Sequence, residues 1–156
     1  MLTIDRYGQE IYAEDVRVLV TSSNLVNSTI SMAPIPELSV SLAAGRYQIE
    51  FTPHYNVNAT TTGTGWNFQG GTAILGEYSF RSVLPSTATA NYNNNYASRS
   101  QNFSVAQTSR LSNNRGSIIA EFVVTSPGTV IPHFRSEISG AAVTLLAGSV
   151  MKVTKY

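Results

Sequence analysis

The stretch from Gly116 to Tyr156 constrains the fold most, because it holds four short apolar segments separated by Ser-Pro-Gly, Ser-Gly and Ala-Gly breaks. In Ser117 to Thr125, Ile118, Ala120, Phe122 and Val124 share one side of an extended chain, since successive side chains of a strand point to opposite faces. Thr129 to Glu137, Ala142 to Leu146 and Ser149 to Tyr156 follow after breaks too short for crossover helices, a spacing that suits hairpins or meanders. The expectation is an antiparallel β tail.

The front half reads the same way. Val16, Val18 and Val20 alternate with Arg17 and Leu19 and mark a first strand, followed by a polar loop over Thr21 to Ser28. Ala33-Pro34-Ile35-Pro36 is a stiff extended connector, because each proline fixes its own φ and biases the residue before it. Leu38, Val40 and Leu42 resume the alternation, and after the Ala43-Ala44-Gly45 turn Tyr47, Ile49 and Phe51 face one way while Arg46, Gln48 and Glu50 face the other. A slip of one residue there would bury three polar side chains, so the register is strongly fixed. Trp66 to Phe68 and the run carrying Ile74, Tyr78 and Phe80 are further strands. Pro85 to Arg115 reads as a long surface excursion with a low-complexity Asn/Tyr stretch at 91–96, in which Phe103 and Val105 alone alternate clearly. Pro132 inside a strand implies an edge or a bulge. No apolar stripe has helical spacing. The pattern predicts eight to ten strands in an all-β, antiparallel jelly-roll β-sandwich: one domain over residues 16–156, preceded by an arm or tail over residues 1–15.

Charged residues make up 12% of the chain, against about 25% in typical domains, which leaves hydroxyl and amide groups to face water. The formal charge is +1 and the basic residues are scattered, so counterion release has few phosphate contacts to draw on and nucleic acid is not an expected partner. Without cysteine there is no disulfide framework or thiolate metal site. Met1 to Asp15 mixes charges with single apolar residues, unlike a signal peptide, and no run approaches the ~20 apolar residues of a membrane span. A membrane is therefore not an expected partner either.

Signs of covalent chemistry are thin. His54 and His133, the two histidines, have no second ligand at metal-binding spacing. No serine sits in a Gly-x-Ser-x-Gly elbow. Glu50 and Glu121 would form a glycosidase-like pair if adjacent, yet both alternate with apolar neighbours, as outward strand positions do. The expectation is a protein that is not an enzyme and carries no cofactor or metal. Tyr92 and Tyr96, set among asparagines, offer rings that stack on sugars, the basis of an alternative reading in which the chain binds a surface glycan.

Two regions stand out together: Ala44-Gly45-Arg46-Tyr47-Gln48-Ile49-Glu50-Phe51 with Thr60-Thr61-Thr62-Gly63-Thr64-Gly65, and Phe134-Arg135-Ser136-Glu137-Ile138-Ser139-Gly140-Ala141-Ala142-Val143-Thr144 with Ala147-Gly148-Ser149. They resemble a recurrent domain of tailed-bacteriophage virion structural proteins. The resemblance runs from Leu38 onward and is weakest across Pro85 to Arg115. It implies a tumour-necrosis-factor-like jelly roll, a homotrimer, and a non-enzymatic role in a head-decoration, fibre or tail-associated protein. The expected function is that of a capsid decoration (cement) protein, made in the host cytoplasm and placed on the outer surface of the head against the major capsid protein. The alternative is a receptor-binding or fibre-tip module.

Candidate residues follow from this reading. Leu2, Ile4, Arg6, Tyr7, Ile11 and Tyr12 are capsid-docking candidates in the arm. Ile119, Val123 and Ile131, apolar residues on the second face of their strands, and Arg135 with Glu137, two apart on one strand, are subunit-interface candidates. Gly63, Gly65, Gly140 and Gly148 suit turns that need positive φ.

Overall fold

The computed structural model describes residues 3–4, 10–11, 16–70, 74–83, 103–105 and 111–156, with side chains for 16–69 and 111–156. Its strands are β1 (Thr3–Ile4), β2 (Glu10–Ile11), β3 (Val16–Val20), β4 (Leu25–Asn27), β5 (Ala33–Pro34), β6 (Val40–Leu42), β7 (Gly45–Thr52), β8 (His54–Val57), β9 (Thr64–Gly70), β10 (Ile74–Val83), β11 (Phe103–Val105), β12 (Asn114–Arg115), β13 (Ser117–Ser126), β14 (Gly128–Ser136), β15 (Val143–Leu145) and β16 (Val150–Lys155). One 3-10 turn, Pro36–Leu38, separates β5 from β6. Every pairing among them is antiparallel.

These segments outnumber the expected strands because long strands break at corners. The front sheet has the order β10-β13-β7-β16-β3, the corner sheet β12-β8-β15-β4 and the back sheet β11-β9-β14-β5, with β6 also on β14. Apart from β10, the three orders correspond strand for strand. A single four-stranded ribbon therefore wraps through all three sheets. The pairing of Phe51 with Ile118 continues four residues on and four back as Tyr55 with Asn114, and eleven further each way as Trp66 with Phe103, without a slip. Val20 with Val150 likewise continues as Leu25 with Leu145. Nested pairing of first with last segments, folded over a core, is a jelly roll.

The tail consequently departs from the expected hairpins. Its consecutive strands β13, β14, β15 and β16 lie in the front, back, corner and front sheets, and each pairs with strands of the front half. The Ser-Gly and Ala-Gly breaks are corners at which the ribbon bends, whereas Pro127, which has no N–H to continue a ladder, lies where the chain passes from the front sheet to the back. Three other readings change as well. Leu25–Asn27, expected as loop, is the terminal strand of the corner sheet. Asn114–Arg115 and Phe103–Val105 tie the excursion into the ladder on β8 and β9. Pro132 lies in an interior strand, but its carbonyl accepts from Ile35 N at 2.9 Å, where the 3-10 turn interrupts the neighbouring ladder, so its missing N–H falls on a gap.

Burial follows the alternation through the corners. Tyr47, Ile49, Phe51, Tyr55 and Val57 face the core without a break in parity, as do Ile118, Ala120, Phe122 and Val124 across the ladder. Trp66 joins the layers: its ring meets Phe51 of the front sheet and Tyr55 of the corner sheet edge-on, with centroids 5.8 and 5.4 Å away, and stacks on Phe134 at 5.9 Å. Its Nε1 donates to Thr64 Oγ1 at 2.9 Å, which lets the polar end of a fully buried ring enter the core.

A polar clasp closes the ribbon where β3 meets β16. Thr21 N donates to the Ser149 carbonyl at 3.0 Å, and Gly148 N donates to the Thr21 carbonyl at 2.8 Å. The Thr21 hydroxyl donates to the Leu146 carbonyl and accepts from Ser149 N, while His54 N donates to Ser149 Oγ. Thr21 and Ser149 are almost wholly buried, so each of these bonds offsets desolvation of a polar group. With Thr21 turned inward, parity turns Leu19 inward as well and sends Val16, Val18 and Val20 outward, where they are 44%, 61% and 53% exposed.

Outside the clasp, the Glu37 carboxylate accepts from Ser22 N and from the hydroxyls of Ser22 and Ser23, pinning the 3-10 turn to the loop after β3. The Ser22 amide first, then the serine hydroxyls, lower its pKa from 4.5 to about 2. A depressed folded-state pKa adds stability that is present above the unfolded value and is lost as pH falls from about 5 towards 2. In urea titrations across that range, Glu37→Gln should flatten the acid limb relative to the native chain; an unchanged slope would contradict the assignment.

Candidate functional site

Two of the segments singled out in the sequence meet on the back sheet. β14 and β9 pair Arg135 with Gly65 and Ser136 with Thr64, and Glu137 N donates to the Gly63 carbonyl at 3.1 Å. The Arg135 side chain lies across Gly65 so closely that a Cβ there would stand 2.6 Å from Nε and 2.8 Å from Cγ. A side chain at 65 would have to displace Arg135. The positive-φ expectation holds at Gly140 and Gly148, with φ of 84° and 85°, and fails at Gly63 and Gly65.

Arg135 continues across the corner and donates from Nη1 to the Ile30 carbonyl at 3.1 Å. Beneath it Asn27, almost fully buried, donates from Nδ2 to the carbonyls of Ser31 and Phe134, while its Oδ1 accepts from the amide and hydroxyl of Thr29. One amide thereby holds the turn between β4 and β5 against β14. Sequence reading missed Asn27, because a lone asparagine in a polar stretch carries no period.

The subunit-interface candidates separate into two groups. Ile119 and Val123 lie half-buried on the outward face of β13 in the front sheet, whereas Ile131 and Arg135 lie on the outward face of β14 in the back sheet. The two faces point away from a shared core, so no one flat contact includes them all. Glu137 lies past the end of β14, its amide bonded to Gly63, while Arg135 reaches the opposite way to Ile30.

The candidate chemical residues are spread over three sheets. Glu50 lies 3.5 Å from Lys152 Nζ, and Glu121 accepts from Gln48 Nε2 at 3.1 Å, both on the outward side of the front sheet. His54 and His133 lie in the corner and back sheets. Burial, then the charge of Arg115, holds the His54 ring below the usual imidazole value; burial does the same at His133, partly offset by the Ile131 carbonyl 3.0 Å from Nδ1. Among the described residues no three His, Asp or Glu side chains gather where they could hold a metal.

Of the docking candidates, Ile4 and Ile11 fall in β1 and β2, whose backbones pair Thr3 with Ile11 and Ile4 with Glu10. Leu2, Arg6, Tyr7 and Tyr12 lie outside the described residues, as do Tyr92 and Tyr96. The surface that sequence reading did not single out is the outward valine stripe of β3, whose alternation was visible while its outward direction was not.

No family model matches the chain, and no curated protein matches it. Among solved structures, Eiger TNF from S. frugiperda aligns over 93% of this chain and 94% of its own, at 9% identity and a TM-score of 0.48. Infectious bursal disease virus, Gx strain, aligns over 99% of this chain and 44% of its own, at 10% identity and a TM-score of 0.23. The jelly-roll assignment rests on the strand pairing itself.

The contact of Arg135 with Gly65 makes a separable prediction. Gly65→Ala should lower the unfolding free energy by about 1–3 kcal/mol, as overpacking does. In the Arg135→Ala background the same change should cost less than half as much, measured by urea denaturation as a double-mutant cycle. Equal costs in both backgrounds would contradict the contact.

Proposed function

We propose that this chain is a virion structural module, a decoration protein of a tailed-phage head that binds the assembled capsid surface as a homotrimer. The observation that carries the reading is the meeting of Thr60–Gly65 with Phe134–Val143. Residues far apart in sequence that carry the resemblance build one corner, with Arg135 over Gly65 and Asn58 N bonded to the Ala142 carbonyl. A motif that constructs the fold, rather than a reaction centre, is what a structural module would share with its relatives. The front-sheet carboxylates add support, since Glu50 and Glu121 are occupied by Lys152 and Gln48.

The mechanism is linkage. A ligand that binds only the assembled lattice stabilises it by RT ln(1 + [L]/Kd), about 2.7 kcal/mol per site at a hundredfold excess over Kd. A rigid ribbon suits the task because docking then orders little beyond the contacting segment. Residues 1–15 supply that segment in this reading, with the major capsid protein as partner. Three linked copies add avidity.

Co-sedimentation tests the reading. The purified protein should pellet saturably with matched phage heads that lack it and not with host cells, and removal of residues 1–15 should abolish pelleting while leaving the domain folded. Pelleting with host cells alone would overturn the reading in favour of glycan recognition.

A further inference from the structure

Single exposed apolar residues are ordinary on protein surfaces, whereas a contiguous group of them marks a contact. Among the described residues the exposed large hydrophobics are Val16, Val18, Val20, Val26, Ile30, Leu111, Ile138 and Tyr156. The first five follow one another along a single margin of the wrapped ribbon, over β3, β4 and the turn into β5. Those strands are the terminal members of the front, corner and back sheets. Ile138 joins them, because Ser136 N and Gly140 N donate to the carbonyls of Thr29 and Ser28 on either side of it. Val26 and Val18, at 65% and 61%, are the most exposed of these valines.

The outward stripe is built into the fold. The Thr21–Ser149 clasp fixes the parity of β3, and Val18 and Val20 stand opposite Lys152 and Val150 on the outward side of β16. Turning the valines inward would expose Leu19 and pull Thr21 from its bonds. β-Branched residues are thus held in extended conformation at a sheet edge, where natural proteins usually place charge to prevent pairing.

Charge decides what covers the margin. Arg17 Nη1 is directed to the Ser41 carbonyl, Arg135 Nη1 to the Ile30 carbonyl, and the Glu37 carboxylate to Ser22 and Ser23. Among the described residues these groups are held locally, as is Lys152, opposite Val18 and 3.5 Å from Glu50, so the margin offers little to attract a phosphate, an acidic peptide or an anionic membrane. A surface of the same kind, apolar and without unspent charge, complements it, and the chain's formal charge of +1 opposes close approach of two copies only weakly. We propose that the margin formed by Val16, Val18, Val20, Val26 and Ile30 is buried against a second copy of this chain. The proposal deepens the homotrimer reading above and rests on it, assigning the contact to the β3–β4 margin in place of Ile131, Arg135 and Glu137.

The test is sedimentation velocity on the full chain across a hundredfold concentration range, for the native protein and for a Val16→Thr, Val18→Thr, Val20→Thr variant. Threonine keeps the shape and strand preference of valine, and circular dichroism with urea midpoints verifies that the variant folds. The native chain should sediment as a multimer, and the variant should dissociate with an apparent Kd about tenfold or more higher, equivalent to about 1.4 kcal/mol. Ile131→Thr, the control on the back sheet, should leave the association unchanged. A native chain that stays monomeric overturns both this proposal and the trimer. A multimer that survives the triple substitution overturns the margin alone and leaves the trimer standing, and loss of assembly with Ile131→Thr instead returns the contact to the back sheet.

Discussion

Register is the constraint on which the structure depends. Within a strand pair a shift of one residue exchanges the buried and solvated faces, so each corner must hand on the pairing with the buried face inward. Here the ladder from Phe51 with Ile118 to Trp66 with Phe103 passes two corners without a shift, and that from Val20 with Val150 to Leu25 with Leu145 passes one, whereas the central ladder steps by two residues between Thr52 with Val150 and Tyr55 with Leu145. The Thr21–Ser149 clasp lies within the second ladder and binds the corner through His54 N. Its hydroxyls replace the hydrophobic alternation as the determinant of which face is buried.

The same register brings the core together. Because β9 follows β8 round the corner in phase, Trp66 arrives where it touches Phe51, Tyr55 and Phe134 from three sheets. Full burial of an aromatic ring contributes about 1.5–3 kcal/mol, and burial in turn keeps the Tyr55 hydroxyl from ionising, raising its pKa. On the outward side of the back sheet the phase sets Arg135 over Gly65, the contact that joins the two resembling segments. For the proposed function, a pair of segments that turns a corner suits a module whose task is to hold a shape on a surface.

Much of this was legible in the sequence. Strands with strict period-two alternation, Gly45–Thr52 and Ser117–Ser126, appear within a residue or so of their expected bounds, because apolar residues at every second position have one low-energy arrangement on a two-faced sheet. Corners were not legible. A short break looks the same whether the chain reverses into a hairpin or bends into another sheet, so the sequence predicts a tail that pairs with itself. Leu25–Asn27 escaped notice because three residues display no period. Val16, Val18 and Val20 announced a strand but not its direction, which hangs on hydrogen bonds of Thr21 to residues more than a hundred positions away. The interface candidates failed to converge for a related reason: outward faces of two strands look alike in sequence although the strands lie in opposite sheets.

The outward valines link register to assembly, and the chain's lack of cysteine makes the register directly measurable. Val18 stands opposite Lys152 across β3 and β16, whereas Val153, one residue on, faces the core. Cysteine pairs introduced at Val18 with Lys152, and at Val18 with Val153, would be oxidised under identical mild conditions and the intramolecular disulfide quantified by mass spectrometry. Efficient crosslinking of the first pair and little of the second is the predicted result; preferential crosslinking of Val18 with Val153 would place the valines inside and contradict the clasp, the register and the exposed margin together.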